Sequence, residues 1–319
     1  MKYVLSLSFI MTLLSVEALC QDGEKSSIPL FSGPIPADTA LVFGQGIIST
    51  DNYEFAITFS PEMDELFFTR RKPGEENEIY TMRLQGGKWS EPEAAFFSTA
   101  RGWDFEPHIS PKGDMLYFGS TRPLDDTAAP TGMHQWYSKK NADGWGPPAP
   151  LEKPFAERFV MYVTSSANGT LYFTSGEEGA RPEDGGIYYS IKEGDKFTDV
   201  KRMEKEISLP GTWTAHPYIA PDESYIIYDG KSDTGFGDCD LYISFNRNGT
   251  WSEPVNLGPE INTDQCEMCA SVSPDGKYLF FHRGVYSGDG GDIGNIFWTD
   301  FIRLKKRIEN ENKNQQLPE

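Results

Sequence analysis

Residues 268–281, M-C-A-S-V-S-P-D-G-K-Y-L-F-F, decide the fold, because they form two apolar strands around a Ser-Pro-Asp-Gly turn. Proline presets φ for such a turn, and glycine or aspartate tolerates its left-handed corner. Four other segments align with this one without a gap, at intervals of 50 to 55 residues. They are F-A-I-T-F-S-P-E-M-D-E-L-F-F (55–68), F-E-P-H-I-S-P-K-G-D-M-L-Y-F (105–118), V-M-Y-V-T-S-S-A-N-G-T-L-Y-F (160–173) and A-H-P-Y-I-A-P-D-E-S-Y-I-I-Y (215–228). The chain therefore carries five copies of one hairpin unit.

A third apolar segment follows each hairpin, as in D-L-Y-I-S (240–244) and H-Q-W-Y-S (134–138). In four units a turn with an aromatic residue comes next, as in N-G-T-W-S-E-P (248–254), and introduces a fourth strand. Four antiparallel strands in a period of about 50 residues are typical of a β-propeller blade. The prediction is an all-β fold, a β-propeller of five four-stranded blades.

The fifth unit lacks its fourth strand, and the N-terminal part of the chain offers a replacement. A-L-V-F-G-Q-G-I-I-S-T-D-N-Y-E-F (40–55) matches V-N-L-G-P-E-I-N-T-D-Q-C-E-M (255–268) in placing a strand and a Thr-Asp turn before the next hairpin. Residues 38–46 are therefore expected to complete the last blade and close the ring, which removes the open sheet edge. One propeller domain (38–303) would follow an N-terminal segment (21–37) and precede a polar C-terminal tail (304–319).

The Ser-Pro-Asp-Gly hairpins, with their D-L-Y and W-S-E-P-x-N-L-G segments, resemble the PD40 (WD40-like) repeats of TolB-type propellers. The resemblance covers roughly residues 40–303. It implies the fold rather than the activity, because that superfamily includes interaction scaffolds, sugar-processing enzymes and secreted proteins without an assigned role. The third unit departs from the pattern, with Ser166-Ala167-Asn168-Gly169 in place of Ser-Pro-Asp-Gly.

The N-terminus predicts export. Lys2 precedes an apolar run that is too short to span a membrane and ends in small residues, which is the layout of a signal peptide over 1–20. The protein would then be secreted or periplasmic. A lipid anchor on Cys20 is disfavoured, because Glu17 and Leu19 do not fit a lipobox. The net charge of −19 disfavours nucleic acid as a partner, and we expect a monomer without a transmembrane segment.

Aligned columns of the five units predict which residues share one mouth of the central channel, since the resemblance implies that the loops before first strands and after second strands open on one face. Seven residues before the turn the column is Tyr53, Trp103, Arg158, Trp213 and Cys266. The next position gives Glu54, Asp104, Phe159, Thr214 and Glu267, and two further on stand Ala56, Glu106, Met161, His216 and Cys269. After the second strands come Arg70, Arg71, Arg122, Lys231, His282 and Arg283.

Two functions fit this ring of residues. The first is a binding module for a protein or a glycan, with eleven predicted ligand-binding residues: Tyr53, Trp103, Trp213, Glu54, Asp104, Arg70, Arg122, Arg158, Lys231, His282 and Arg283. The second is a glycosidase or lyase that acts on an acidic sugar, with Glu106, Glu267 and His216 as acid and base groups. Each of these side chains has a structural alternative, namely an ion pair or packing between blades.

The cysteines and the possible metal ligands give weaker indications of function. Cys266-x-x-Cys269 enters a strand rather than a helix N-terminus, so it does not resemble a redox pair. In an exported protein one disulfide is expected, from Cys239 to Cys266 or to Cys269, with Cys266 favoured because it lies in the loop. No cofactor is predicted. Two weaker alternatives are Ca²⁺ in the acidic loops 235–240 and 287–295, and a metal held by Glu106, His108, His216 and Glu267.

Overall fold

The computed structural model describes residues 35–37, 39–99, 101–124, 132–176, 185–203, 207, 209, 214–285 and 292–315. The predicted signal peptide, Cys20 and Trp213 lie outside these residues, as does most of the loop 287–295. Within the described ranges no helix is long and apolar enough to cross a membrane.

Every repeat unit folds into three successive antiparallel strands, which are rich in the aromatic and β-branched residues that favour extended chain. The first strands are Tyr53–Phe59, Asp104–Ile109, Val160–Ser165, Thr214–Ile219 and Cys266–Val272. The second strands are Glu65–Arg71, Met115–Ser120, Leu171–Ser175, Tyr225–Gly230 and Tyr278–Val285. The third strands are Glu78–Gln85, His134–Asn141, Gly186–Ser190, Asp240–Arg247 and Ile293–Asp300.

Short fourth strands pair with the third strands. In the first four units they are Glu93–Ala94, Ala149–Pro150, Lys201–Arg202 and Val255–Asn256. The third strand of the fifth unit pairs instead with Leu41–Val42, through Leu41 opposite Trp298 and Val42 opposite Phe297. Five further two-residue strands pair across tight turns at the edges of the sheets: Lys88–Trp89, Gly144–Trp145, Lys192–Glu193, Lys196–Phe197 and Thr250–Trp251.

Each first strand carries a β-bulge against its second strand, because the pairing register shifts by one residue near the middle of the strand. One residue in each bulge has a left-handed backbone, with φ between 46° and 56°. These five residues, called the bulge residues below, are Ala56, Glu106, Tyr162, His216 and Cys269.

The bulges correct the gap-free alignment in the third unit. The first backbone hydrogen bond of each hairpin turn runs from Ser60 N to Glu65 O in the first unit and from Ser166 N to Thr170 O in the third. The third turn is therefore one residue shorter, and its strand is displaced by one position from the predicted columns. Tyr162 rather than Met161 occupies the bulge, and Arg158 leaves the column of Tyr53.

The cores lie between sheets of successive units. Phe67 and Phe118 share a cluster of buried residues between units 1 and 2, and similar clusters lie between units 2 and 3, 3 and 4, and 4 and 5. A further cluster joins the first unit to the fifth and contains Phe43, Phe59 and Phe280.

A helix, Phe301–Gln315, replaces part of the predicted polar tail. Its apolar residues recur at helical spacing, and Phe301, Leu304 and Ile308 are buried in the cluster between units 4 and 5. Arg307 adds hydrogen bonds to Glu260 (2.6 Å) and to the Leu257 carbonyl (2.9 Å). This helix packs on the sheets through one apolar face. The polar composition of the segment does not reveal that face, because the three apolar residues are few and spaced apart in the sequence.

Candidate functional site

Arginine–carboxylate clamps occupy the starts of the first strands in units 1 and 5. Arg70 Nε donates to Glu54 Oε1 (2.9 Å), and Arg70 Nη2 donates to the Ile47 carbonyl (2.7 Å). Thr50 binds the same carboxylate through its hydroxyl (2.5 Å) and its backbone N–H (3.2 Å). The clamp therefore fastens the loop that leads into the first strand.

The fifth unit repeats this arrangement atom for atom. Arg283 Nε donates to Glu267 Oε1 (2.8 Å), Arg283 Nη2 binds the Ile261 carbonyl (2.7 Å), and the Thr263 hydroxyl donates to Glu267 Oε1 (2.6 Å). Burial raises the pKa of Glu267, while hydrogen bonds from Thr263 and the charge of Arg283 oppose the shift. These contacts hold Glu267 in a clamp, and its predicted acid–base role stays a prediction.

A shorter version of the clamp stands in unit 2. Arg122 Nη2 donates to Asp104 Oδ1 (2.6 Å) and to the Phe97 carbonyl (3.1 Å), and its guanidinium lies over the rings of Phe118 and Trp136. The ion pairs in all three clamps form within one unit and not between blades. The clamps contain five residues that the sequence predicts to bind a ligand, and these contacts show that they hold loops in place: Glu54, Asp104, Arg70, Arg122 and Arg283.

Tyr53 and His282 lie side by side in the channel wall, with ring centroids 4.6 Å apart. His282 Nδ1 donates to the Glu54 carbonyl (2.8 Å), and burial lowers the pKa of His282 to about 4. The guanidinium of Arg71 lies 4.6 Å from the Tyr53 ring and forms an ion pair with Asp292. The neutral imidazole and the phenol ring are therefore packed against each other.

The remaining predicted ligand-binding residues are dispersed. Trp103 is 41% exposed, and its backbone N–H donates to Thr121 Oγ1 (2.9 Å). The Arg158 guanidinium lies over the ring of Tyr188 (5.6 Å), and Lys231 contacts Asp238 (3.3 Å) at the surface. Trp103, Arg158 and Lys231 thus each contact a different neighbour, and the predicted ring of aromatic and charged groups stays a prediction.

Side chains of three bulge residues meet deeper in the channel and form the inner cluster of Glu106, His216 and Cys269, together with Asp229. One donor atom of Glu106, of His216 and of Cys269 lies within 4.8 Å of the other two, and all three residues are buried. His216 Nε2 is 3.7 Å from Glu106 Oε1, while His216 Nδ1 contacts both oxygens of Asp229 at 2.9 and 3.0 Å. Asp229 also accepts the Cys269 N–H (3.2 Å).

Burial dominates the ionisation of this cluster. It raises the pKa of Glu106 to about 7, against the opposing charge of His216. It lowers the pKa of His216, but the charge and hydrogen bond of Asp229 and the charge of Glu106 outweigh it, so that the pKa is raised overall. Burial also raises the pKa of the Cys269 thiol well above its ordinary value. The inner cluster therefore combines tuned acid and base groups with a thiol that is a poor nucleophile on its own.

Sequence reasoning found Glu106 and His216 but missed Asp229. Asp229 is the last but one residue of the second strand of unit 4, at a position where units 1 and 3 have Thr69 and Thr174. Both threonines accept the N–H of a bulge residue in the next unit, as Asp229 does. The aligned sequences could have indicated this position, because Asp229 carries a carboxylate where Thr69 and Thr174 accept the same hydrogen bond with a hydroxyl.

Of the predicted metal ligands, only Glu106 and His216 come together. His108 Nε2 accepts the Ser165 N–H (2.9 Å), and burial lowers the pKa of His108 to about 3. In the acidic loop 235–240, the carboxylate of Asp240 accepts the N–H groups of Phe236 and Gly237 and the amide of Asn256. Both oxygens of Asp240 thus accept hydrogen bonds within the protein, and most of the loop 287–295 lies outside the described residues.

The structure joins Cys239 to Cys266 in a disulfide and leaves Cys269 as a buried thiol. The bond links the loop after the second strand of unit 4 to the start of the first strand of unit 5. The sequence pair Cys266-x-x-Cys269 is therefore divided between a loop crosslink and the inner cluster.

A cavity of about 310 Å³ opens at the hairpin-turn end of the channel, opposite the predicted mouth. All five units contribute to its wall, through Pro61, Pro111, Ala167, Pro221 and Pro274 among others. Most of its lining residues are apolar, and the polar ones are Thr58, His108, Ser110, Ser165, Tyr218 and Ser271.

No protein-family model matches the sequence, and no curated protein matches it. Solved structures do. The alpha-L-arabinofuranosidase from Lactobacillus brevis shares 12% identity over 79% of this chain and 91% of its own length, with a TM-score of 0.51. The endo-arabinase from Bacteroides thetaiotaomicron VPI-5482 shares 13% identity over 83% of this chain and 96% of its own, with a TM-score of 0.51.

TolB from Acinetobacter baumannii shares 15% identity over 79% of this chain, with a TM-score of 0.47, and the chain spans 56% of the length of that structure. At these identities the similarity concerns the fold. The matched proteins are β-propellers, and the repeated antiparallel sheets around a channel agree with them. The chain has a β-propeller fold.

Proposed function

We propose that this chain is an exported, monomeric, five-bladed β-propeller, closed by its N-terminal strand, that binds a protein partner on the face where the first strands begin. The pairing of Leu41–Val42 with the third strand of unit 5 supports closure, as does the core shared by Phe43, Phe59 and Phe280. The acidic surface and the signal-like N-terminus support an exported protein that does not bind nucleic acid.

The distribution of exposed apolar side chains carries this proposal. Second strands end, and third strands begin, at the same end of each sheet as the first strands begin. Seven of the eleven exposed large hydrophobic side chains among the described residues lie in loops or strand ends at that end. They are Ile47, Trp103, Leu124, Phe159, Phe236, Val285 and Ile293. Such a concentration is typical of an interaction surface.

The chemistry of the face favours a protein over a glycan. Tryptophan and tyrosine have flat rings with polar edges that suit sugars, but six of the seven exposed side chains are neither. Four of the six are branched aliphatic residues, and the other two, Phe159 and Phe236, are phenylalanines, whose side chains make no hydrogen bonds. Three charged groups at the starts of the first strands, Glu54, Asp104 and Glu267, are held in the clamps. A partner would therefore meet apolar loops supported by rigid strands.

Quantitative affinity capture from the extracytoplasmic fraction tests the proposal, with a Trp103→Ser/Phe236→Ser variant as the comparison. We expect one protein to be enriched by the wild type, to be lost with the variant, and then to bind the purified chain in calorimetry. Ile191→Ser serves as the matched control, because Ile191 is also exposed but follows a third strand at the opposite end. Retention of the partner by the double variant, or saturable binding of a glycan that depends on Trp103, would contradict a protein ligand on this face.

A second candidate function is a carbohydrate-active enzyme, and one observation favours it. Glu106, with its pKa raised to about 7, faces His216 across 3.7 Å, which suits a general acid beside a base. A screen of acidic and neutral glycans should then show turnover by the wild type. Glu106→Gln should abolish this turnover. Glu267→Gln changes a clamp residue, and its folded fraction should keep the activity. Absence of turnover in the wild type would leave only the binding function.

A further inference from the structure

The inner cluster contains three different donor types that converge on one point. Glu106 contributes a carboxylate oxygen, His216 an imidazole nitrogen and Cys269 a sulfur, and the three donor atoms lie within 4.8 Å of one another. Around a tetrahedral zinc ion, with bonds of about 2.0–2.3 Å, donor atoms stand roughly 3.3–3.6 Å apart. The 3.7 Å between His216 Nε2 and Glu106 Oε1 is close to that separation.

The backbone holds these donors before any ion is present. All three residues are bulge residues with left-handed φ, and their N–H groups are bound by Thr69, Thr174 and Asp229 of the preceding units. The bulges of units 2, 4 and 5 thus carry an acidic, a basic and a thiol side chain at equivalent strand positions, whereas units 1 and 3 have Ala56 and Tyr162 there. The strands of three units therefore aim their polar side chains at one point in the channel.

Asp229 supplies the outer contact that metal-binding histidines usually have. Its two oxygens lie 2.9 and 3.0 Å from His216 Nδ1, so Nδ1 donates and Nε2 is directed toward Glu106. A carboxylate on the far nitrogen fixes the tautomer and orientation of a histidine ligand and increases its basicity. Thr69 and Thr174 accept a bulge N–H at the equivalent position without any charge, so the charge of Asp229 serves His216.

The charge balance of the cluster points the same way. The buried carboxylates Glu54, Asp104 and Glu267 each have an arginine partner, whereas Glu106 and Asp229 face the same imidazole. Two buried carboxylates with one histidine are incompletely compensated, and a divalent cation supplies the missing positive charge.

We propose that Glu106, His216 and Cys269 bind one divalent transition-metal ion of the zinc class, with Asp229 orienting His216. A mixed set of oxygen, nitrogen and sulfur donors suits zinc and excludes Ca²⁺ and Mg²⁺, which take oxygen ligands. Three protein ligands leave a fourth position for water or a further ligand. This site is independent of the apolar face and of any partner bound there.

Metal titration of the full chain tests the site. In a Cys20→Ser background Cys269 is the one thiol outside the disulfide, because the chain has four cysteines. Zn²⁺ is added to the folded protein and, since the cluster is buried, also during refolding from urea with the disulfide kept intact. We expect one equivalent of zinc to bind and the thermal midpoint to rise. Co²⁺ in place of zinc should give the near-ultraviolet band of a cobalt–thiolate bond.

Variants separate ligation from folding. Cys269→Ser should abolish the cobalt–thiolate band, and Asp229→Asn should weaken zinc about 10- to 100-fold while the band remains. His134→Gln, at the start of a third strand away from the cluster, is the matched control and should change neither. Failure of the wild type to take up stoichiometric zinc by either route would overturn the proposal, and so would a cobalt–thiolate band that survives Cys269→Ser.

Discussion

At the scale of single residues, the left-handed positions decide how the channel is lined. A non-glycine residue with positive φ costs roughly 1–2 kcal/mol, so five of them at equivalent positions require compensation. Side chains of the preceding unit compensate for this cost, because each accepts a hydrogen bond from the N–H of a bulge residue. Thr69 accepts from Glu106, Glu106 from Tyr162, and Thr174 from His216. Each bulge in turn directs a side chain toward the channel.

Gly276 tests the same backbone principle in the hairpin turn. Its φ is +72°, and no heavy atom lies within 4 Å of the site that a Cβ would take. Gly276→Ala should therefore destabilise the protein by about 1 kcal/mol through backbone strain alone, and Gly276→Asn by less, because asparagine tolerates the left-handed region. Urea denaturation of the oxidised protein measures both. Equal losses for alanine and asparagine would point to a steric cause instead.

The raised pKa of Glu106 predicts that the free energy of unfolding depends on pH. Its folded pKa, about 7, lies above the ordinary value of 4.5, so the folded state favours the proton and loses stability as the pH rises through this range. In the presence of a chelator, Glu106→Gln should be more stable than the wild type at pH 8, by up to about 3 kcal/mol, and the difference should vanish near pH 4. Asp229, His216 and Cys269 face the same group and remain in both proteins.

Denaturation curves of both proteins at several pH values measure this difference. Glu91→Gln, at an exposed position, is the control and should show no comparable trend. A difference between wild type and Glu106→Gln that stays constant from pH 4 to 8 would contradict the assigned ionisation.

At the scale of elements, the clamps of units 1, 2 and 5 connect each of these sheets to the loop that enters it. Arg283 and Glu267 are both largely buried, and the pair also holds the Ile261 carbonyl. Arg283→Met leaves the carboxylate buried without its cation, which should cost about 3–5 kcal/mol of unfolding free energy. Arg303→Met removes an exposed pair with Asp300 and should cost under about 1 kcal/mol. A similar small loss for both would argue against a structural clamp.

The C-terminal helix gives a comparison within one element. Ile308 is fully buried against units 4 and 5, while Ile302 is 56% exposed. Ile308→Ala should destabilise the protein by about 2–4 kcal/mol, and Ile302→Ala by less than about 0.5 kcal/mol. Both variants keep the helix propensity high, so thermal denaturation measures docking. If the two losses are equal, the helix is not part of the folded core.

The sequence predicts the elements better than it predicts the site. The hairpins, the third strands and a strand within residues 38–46 follow from apolar patterns and turn chemistry, which are local. The inner cluster depends on bulges, which add one residue to a strand and change which side chains face the channel. In unit 3 the hairpin turn at Ser166 is also one residue shorter than the aligned sequences indicate. Tyr162 therefore occupies the bulge position, and Arg158 does not align with Tyr53. Asp229 was missed because its partners, His216 and Cys269, belong to other strands.

At the scale of the whole molecule, the proposed closure of the ring rests on contacts of the N-terminal residues. Phe43 is fully buried, with its ring 4.8 Å from Phe280 of unit 5 and 6.2 Å from Phe59 of unit 1. Phe118, also fully buried, occupies the core between units 1 and 2. In a closed ring these are equivalent interfaces, and the units are expected to unfold together. In an open array the end units would unfold separately from the rest.

Phe43→Ala and Phe118→Ala should therefore each lower the free energy of unfolding by about 3–5 kcal/mol, because both leave a cavity in a core between sheets. Tryptophan fluorescence and far-ultraviolet circular dichroism should report one coincident transition for each variant. Hydrogen exchange adds a local measurement: amides of units 1 and 5 should lose no more protection in Phe43→Ala than amides of units 2 and 3. Early exchange confined to units 1 and 5 would show an open array, in which the pairing of Leu41–Val42 with the fifth unit does not close the ring.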